Sequence, residues 1–286
     1  MNESTRINTK CHRWRFFNHR KLKSDSMLDF MLYLLGCLLF LVVTEKYRRA
    51  TFGMAVLLAV SYPLAAEISQ FSLFIQIKYY SVIIPTVLFS FSKCKPHFTD
   101  ERFDKVFAIL PGIIRFTLAV NIAEAAVYVA MFDKFVTAFF GFILVITVPK
   151  FSYDEHQNIG FEDPWWAIAY SSCLTIGLSF HPVESLLTLS GIAILAIALL
   201  SCVYVKDWSK WITFRIYSLY YLVVLDAFFS RNGLSIYDRF DSSSFSPENR
   251  NVPGLENLFR IVSIALCMVL VYRWLKLRNA PPPLAT

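Results

Sequence analysis

Apolar runs of membrane-spanning length recur along almost the whole of this 286-residue chain, separated by short charged connections. They fall at about 27–44, 50–66, 71–91, 113–130, 135–148, 164–180, 184–205, 211–229 and 255–275. Runs of this kind specify an all-α fold, a polytopic transmembrane helix bundle with about eight or nine spans. It is expected to be integral to a membrane, the cytoplasmic membrane if the source is bacterial. The first, second and fifth runs are short for a crossing, so each is a candidate re-entrant segment. No internal repeat is visible, which leaves an inverted-repeat transporter architecture without support.

Composition leaves little room for anything else. Hydrophobic residues make up 56 % of the chain and charged residues 17 %, with 27 Phe and 14 Tyr suited to lipid contact and interfacial anchoring. No sizeable soluble domain fits beside the spans. The expected organisation is a basic, disordered tail over 1–26, a helical domain over 27–276 with a long polar loop at 230–254, and a Pro-rich tail over 277–286. The tail holds Arg6, Lys10, Arg13, Arg15, Arg20, Lys21 and Lys23 against Glu3 and Asp25, a composition that suits an anionic lipid surface. The apolar segment after it is too long for a cleavable signal peptide, and no small-x-small site closes it. Partners are thus the lipid bilayer and a small polar solute, with no nucleic acid expected.

Charge in the connections gives a divided answer on orientation. With nine alternating spans, 13 of the 28 Lys and Arg fall on one side, five on the other, seven in the basic tail and three inside spans. Short loops place the first connection and the C-terminus in the cytoplasm, and the tail argues the reverse. The six cysteines form no C-x-x-C pair and no disulfide framework. Cys94-Lys-Pro-His97 is half of a metal-ligand spacing without a second half, so no metal and no cofactor are expected.

The fourth run, Ile113 to Ala130, is the one that points to function. Thr117, Asn121, Glu124 and Tyr128 follow at steps of four, three and four, which sets them on one helix face. Leu118, Ala119, Ile122, Ala125, Ala126 and Val129 make the opposite face aliphatic or small. A carboxylate inside hydrocarbon costs on the order of 3 kcal/mol unless it faces protein or water. Lys78, Arg115 and Arg215 balance Glu67, Glu124 and Asp226 within or at the edges of spans. Arg215 and Asp226 share a face of the eighth run, but about 16 Å of helix separates them, so each needs a partner elsewhere. Arg115 is half a turn out of phase with Glu124 and likewise needs its own partner or an interface to reach. The expected site is a buried polar cluster between spans 3, 4 and 8, drawn from Lys78, Tyr80, Thr117, Asn121, Glu124, Tyr128, Arg215 and Asp226.

Catalytic patterns are missing: no H-E-x-x-H, no G-x-S-x-G, no aspartate-rich prenyl-diphosphate motif and no Gly-rich phosphate loop. His181, beside Pro182 at a span end, reads as an interfacial residue rather than a base. Three functions stay open. They are a transporter or channel-like protein for a small polar or ionic solute, a membrane-embedded enzyme acting on a lipid or isoprenoid, and a structural or assembly protein.

Several stretches carry a resemblance. Thr44-Glu-Lys-Tyr-Arg-Arg49, Lys78-Tyr-Tyr-Ser81, Asn121-Ile-Ala-Glu-Ala125, Trp166-Ala-Ile-Ala-Tyr170 and Arg215 are similar to an uncharacterised family of bacterial multi-spanning membrane proteins, classed as a domain of unknown function. The likeness covers most of residues 30–230. The basic tail and the loop after span 8 depart from it. It implies that Lys78, Asn121, Glu124 and Arg215 belong together, and it implies no activity.

Overall fold

The structure, a computed structural model, describes residues 26–65, 73–98, 100–131, 135–155, 157–179, 189–230 and 255–278. The basic tail, Glu67, His181, the polar loop at 231–254 and the end of the Pro-rich tail lie outside the described residues, as do the side chains of Lys78, Tyr128 and Asp226. The helices are α1 (Ser26–Lys46), α2 (Arg48–Ala65), α3 (Leu73–Ser92), α4 (Glu101–Ala130), α5 (Phe135–Ile146), α6 (Pro164–Ser179), α7 (Leu189–Val205), α8 (Trp211–Ser230) and α9 (Leu255–Arg278). The all-α expectation therefore holds among the described residues.

The helices are less uniform than the runs suggested. Among the described residues one, over Glu101–Val127, is long and apolar enough by itself to cross a membrane, and α1 passes the same test only as a pair with α2, bent by 114°. α5 has 12 residues, about 18 Å of rise against about 30 Å of hydrocarbon. What the helices do share is greasy outward faces. Leu32, Leu35, Leu39 and Val42 on α1, Leu57 and Val60 on α2, Phe116 and Val120 on α4, and Ile261, Ile264 and Met268 on α9 are all exposed.

Local chemistry sets the helix ends. The fourth run starts at Ile113 in the sequence, but α4 begins twelve residues earlier, at Glu101, and continues through Pro111. Asp100 accounts for the early start: its Oδ1 accepts the Arg102 N–H at 2.9 Å, and Glu101 and Asp104 occupy the dipole-favoured first turn. At α6, Asp163 Oδ1 accepts the N–H groups of Trp165 (3.1 Å) and Trp166 (3.2 Å), with Pro164 as the first helical residue. Successive residues on a helix point about 100° apart, and here Trp165 is exposed while Trp166 is fully buried.

The acidic connection from 150 to 163, between the fifth and sixth runs, contains a small antiparallel hairpin, β1 (Ser152–Tyr153) with β2 (Ile159–Gly160). Asp154 closes its turn, accepting the Asn158 N–H at 2.7 Å and the Asn158 side-chain amide at 3.1 Å. Phe151, Ile159 and Phe161 are buried, with the Phe161 ring 5.4 Å from Trp166 and 5.6 Å from Trp211. A Cβ at Gly160 would lie 2.2 Å from the Ser209 carbonyl oxygen, so only glycine allows this approach. The hairpin thereby seats on the start of α8.

α8 is the helix most others lean on, packing against α1, α2, α3 and α7. Tyr217 Oη lies 3.3 Å from Ser90 Oγ near one end of the α3–α8 seam, and Val223 joins Ile83 and Tyr62 in a buried group further along. Sequence numbers rise on α3 as they fall on α8, so the two run antiparallel. α3 and α4 are antiparallel as well: Phe91 stacks on Phe107 at 5.0 Å, and Ser81 meets Asn121.

Candidate functional site

The α3–α4 seam brings together part of the expected cluster. Asn121 Nδ2 donates to Ser81 Oγ at 3.1 Å, an interhelical bond between two half-buried side chains. Glu124 stands one turn beyond Asn121, is half-buried and is engaged with a partner. Because the helices are antiparallel, position 78, one turn before Ser81, comes opposite Glu124 in the register. Tyr80 is half-buried on α3. Thr117 does not join the seam through its hydroxyl, which lies 3.0 Å from both the Ile113 and Ile114 carbonyl oxygens of its own helix.

Arg215 lies elsewhere. From Ser81 to Ser90 is nine residues, about 14 Å of helix, and Ser90 meets Tyr217. Arg215, two residues before Tyr217 on an antiparallel helix, is further still from the Asn121 level. The single cluster expected between spans 3, 4 and 8 is thus resolved into two depths, and the backbone of Asp226, not of Arg215, falls near the level of Ser81. Inter-helix register decides this, and it cannot be read from the period within one helix. Arg215 is 8 % exposed, and its guanidinium stands 5.8 Å from the Tyr170 ring centroid. Among the described residues no acceptor reaches its Nε or Nη1. Arg115, expected to need a partner of its own, donates from Nη2 to the Val148 carbonyl at 2.7 Å, where α5 has just ended.

A second polar centre was not anticipated. Lys93, immediately after α3, has a fully buried side chain whose ammonium donates to the carboxylate of Glu45 in the last turn of α1. Its Nζ also lies 5.1 Å from the Tyr217 ring and 5.7 Å from the Phe89 ring. Burial pushes the ammonium down from its ordinary 10.5 to about 8; Glu45 opposes that shift, and the charges of Arg48 and Lys210 add to it. Burial likewise raises the neighbouring Cys94 thiol. The five described cysteines are all free and buried. The available signal was positional: Glu45 and Lys93 lie in the polar stretches that follow the first and third runs, and both read as parts of connections.

Between α7 and α8, Asp207 accepts the Ser209 N–H at 3.0 Å and its hydroxyl at 2.6 Å. Partial burial would raise this carboxyl, but the Ser209 bonds and the charge of Lys210 leave it below its ordinary value. Among the described residues no group of three His, Cys, Asp or Glu is placed to hold a metal ion. No family model, curated protein or solved structure matches the chain.

Proposed function

We propose that this chain is a polytopic integral membrane protein that binds or passes a small polar or ionic solute, with the α3–α4 seam as its polar centre. The observation behind the reading is the Asn121–Ser81 bond, flanked one turn on by Glu124 and position 78, on helices whose outward faces are apolar. Exposed aliphatic side chains on α1, α2, α4 and α9 suit lipid, not water. On the alternation of nine spans that this reading assumes, the short connections put thirteen Lys and Arg on the side of the α1 and α9 ends, which the positive-inside rule assigns to the cytoplasm, against the seven of the basic tail. Short helices such as α5 cross only with help from a neighbour or enter and return.

One observation favours a second reading, helix-to-helix adhesion. Asn121 spends its amide on Ser81 and Glu124 is already engaged, as members of a dry structural seam would be. Glu124→Gln separates the two, because it preserves shape and removes the charge. Vesicles containing the purified protein and a trapped pH dye are challenged in turn with sodium, potassium, chloride and small amino acids. Solute handling requires a flux absent from protein-free vesicles and about tenfold slower in Glu124→Gln at unchanged thermal stability. A lowered unfolding temperature with no flux from either form establishes adhesion instead.

A further inference from the structure

A half-open pocket of about 300 Å³ lies where α5 and α9 end and α6 begins, with Arg115 of α4, six residues before Asn121, on its wall. Four cationic side chains line it, Arg115, Lys150, Arg273 and Arg278, against one carboxylate, Asp163. That carboxylate is already occupied. Its Oδ1 accepts two backbone N–H groups at the start of α6 and stands 3.4 Å from Arg273 Nη2.

The cations keep most of their donors. Arg115 uses Nη2 on the Val148 carbonyl, which fixes its guanidinium against the pocket wall. Arg273 Nε is buried with no hydrogen-bond partner among the described residues, and its Nη2 contact to Asp163 is long. The Arg278 guanidinium is 5.3 Å from the Trp274 ring centroid, an arrangement that holds the fork without consuming its N–H groups. Three guanidinium groups and an ammonium thus converge on one concavity with a surplus of positive charge and unspent donors.

Guanidinium forks match tetrahedral oxyanions, which offer several acceptors at once and a charge that offsets the surplus. We infer that this pocket binds a phosphate group, carried by an anionic lipid or by a free phosphate compound. Its place at the basic ends of the helices puts the phosphate at headgroup depth. None of this depends on the solute reading, since the pocket and the seam share no residue.

The test uses the full chain in phosphatidylcholine nanodiscs. One arm titrates inorganic phosphate and glycerol 3-phosphate by calorimetry. The other measures, by native mass spectrometry, how much phosphatidylglycerol stays bound after extraction from mixed vesicles. Binding in the first arm alone identifies a free phosphate compound, and retention in the second alone identifies a lipid; either supports the site. Arg273→Gln and Arg278→Gln each reduce the signal about tenfold, while Lys276→Gln, exposed in the same turn and outside the pocket, leaves it intact. Should Arg273→Gln fail to fold for want of its Asp163 contact, the exposed Arg278 position decides. Absence of signal in both arms, or an equal loss in Lys276→Gln, overturns the assignment.

Discussion

Two cations are buried beside α8, and the chain accommodates them in different ways. Lys93 is given a carboxylate, Glu45, and two aromatic rings. Arg215 is given the face of Tyr170 and, among the described residues, no acceptor for Nε or Nη1. The contrast follows from the two head groups. An ammonium is a compact, strongly hydrated charge and loses much on leaving water, whereas a guanidinium is planar, delocalised and weakly hydrated, so a ring face compensates it better. The surroundings differ to match. Lys93 ties the α1–α2 elbow to the end of α3, while Arg215 stands beside Trp211, Trp166 and Tyr170, with the hairpin seated over the start of its helix.

The sharpest way to break this comparison is to take away the carboxylate. Glu45→Gln leaves a fully buried ammonium without its counter-charge, and a loss of about 3–5 kcal/mol is expected. Adding Lys93→Met to that variant should restore most of the loss, because it removes the orphaned charge and keeps the volume. Thermal unfolding of the purified protein in detergent measures both. If the double variant is as unstable as Glu45→Gln, the pair is not the unit that matters and the contrast with Arg215 collapses.

A smaller effect comes from pH. The ammonium of Lys93 is held at about 8 against its ordinary 10.5, chiefly by burial. Below pH 8 folded and unfolded chains both carry the proton, so this group adds no slope. Between 8 and 10.5 the unfolded chain binds more protons than the folded one, and stability from this group rises with pH. The gain by pH 9.5 is on the order of 2 kcal/mol. Comparing wild type with Lys93→Met cancels the other titrating groups: wild type should gain on the variant as pH climbs from 7.5 to 9.5. A difference that stays flat or shrinks removes the desolvated lysine from the account.

Much of the helical fold was legible because apolar runs and helix length are properties of one segment at a time. The same holds for the polar face of α4, where the spacing of Asn121 and Glu124 marks the side that meets α3. The features that escaped depend on two segments meeting, or on a short local device. α4 starts twelve residues ahead of Ile113 because Asp100 caps it, in a stretch whose charges read as a connection. The hairpin hides in an acidic loop, with Asp154 and Asn158 as its local signature. Arg215 shares a helix face with Asp226 but not a depth with Asn121, and nothing in a 3.6-residue period reports depth on a neighbouring helix. Lys93 reads as part of a polar connection because its neighbours in sequence are polar; its neighbours in space are Phe89, Tyr217 and Glu45.

The smallest effects belong to Arg215, and they test the other half of the comparison. If the Tyr170 face is its main compensation, Arg215→Lys replaces a stacked plane by a point charge that the ring serves less well, at a cost of about 1 kcal/mol. Arg215→Met removes the charge and keeps a long apolar stem, so it should be neutral or stabilising by about 1 kcal/mol. The order of unfolding temperatures is then Met at or above Arg, with Lys lowest. An Arg215→Met variant that loses several kcal/mol, as Glu45→Gln is expected to, would mean that an acceptor outside the described residues holds the guanidinium. Arg215 would then be a paired charge like Lys93, and the distinction between the two corners would rest on which element supplies the carboxylate.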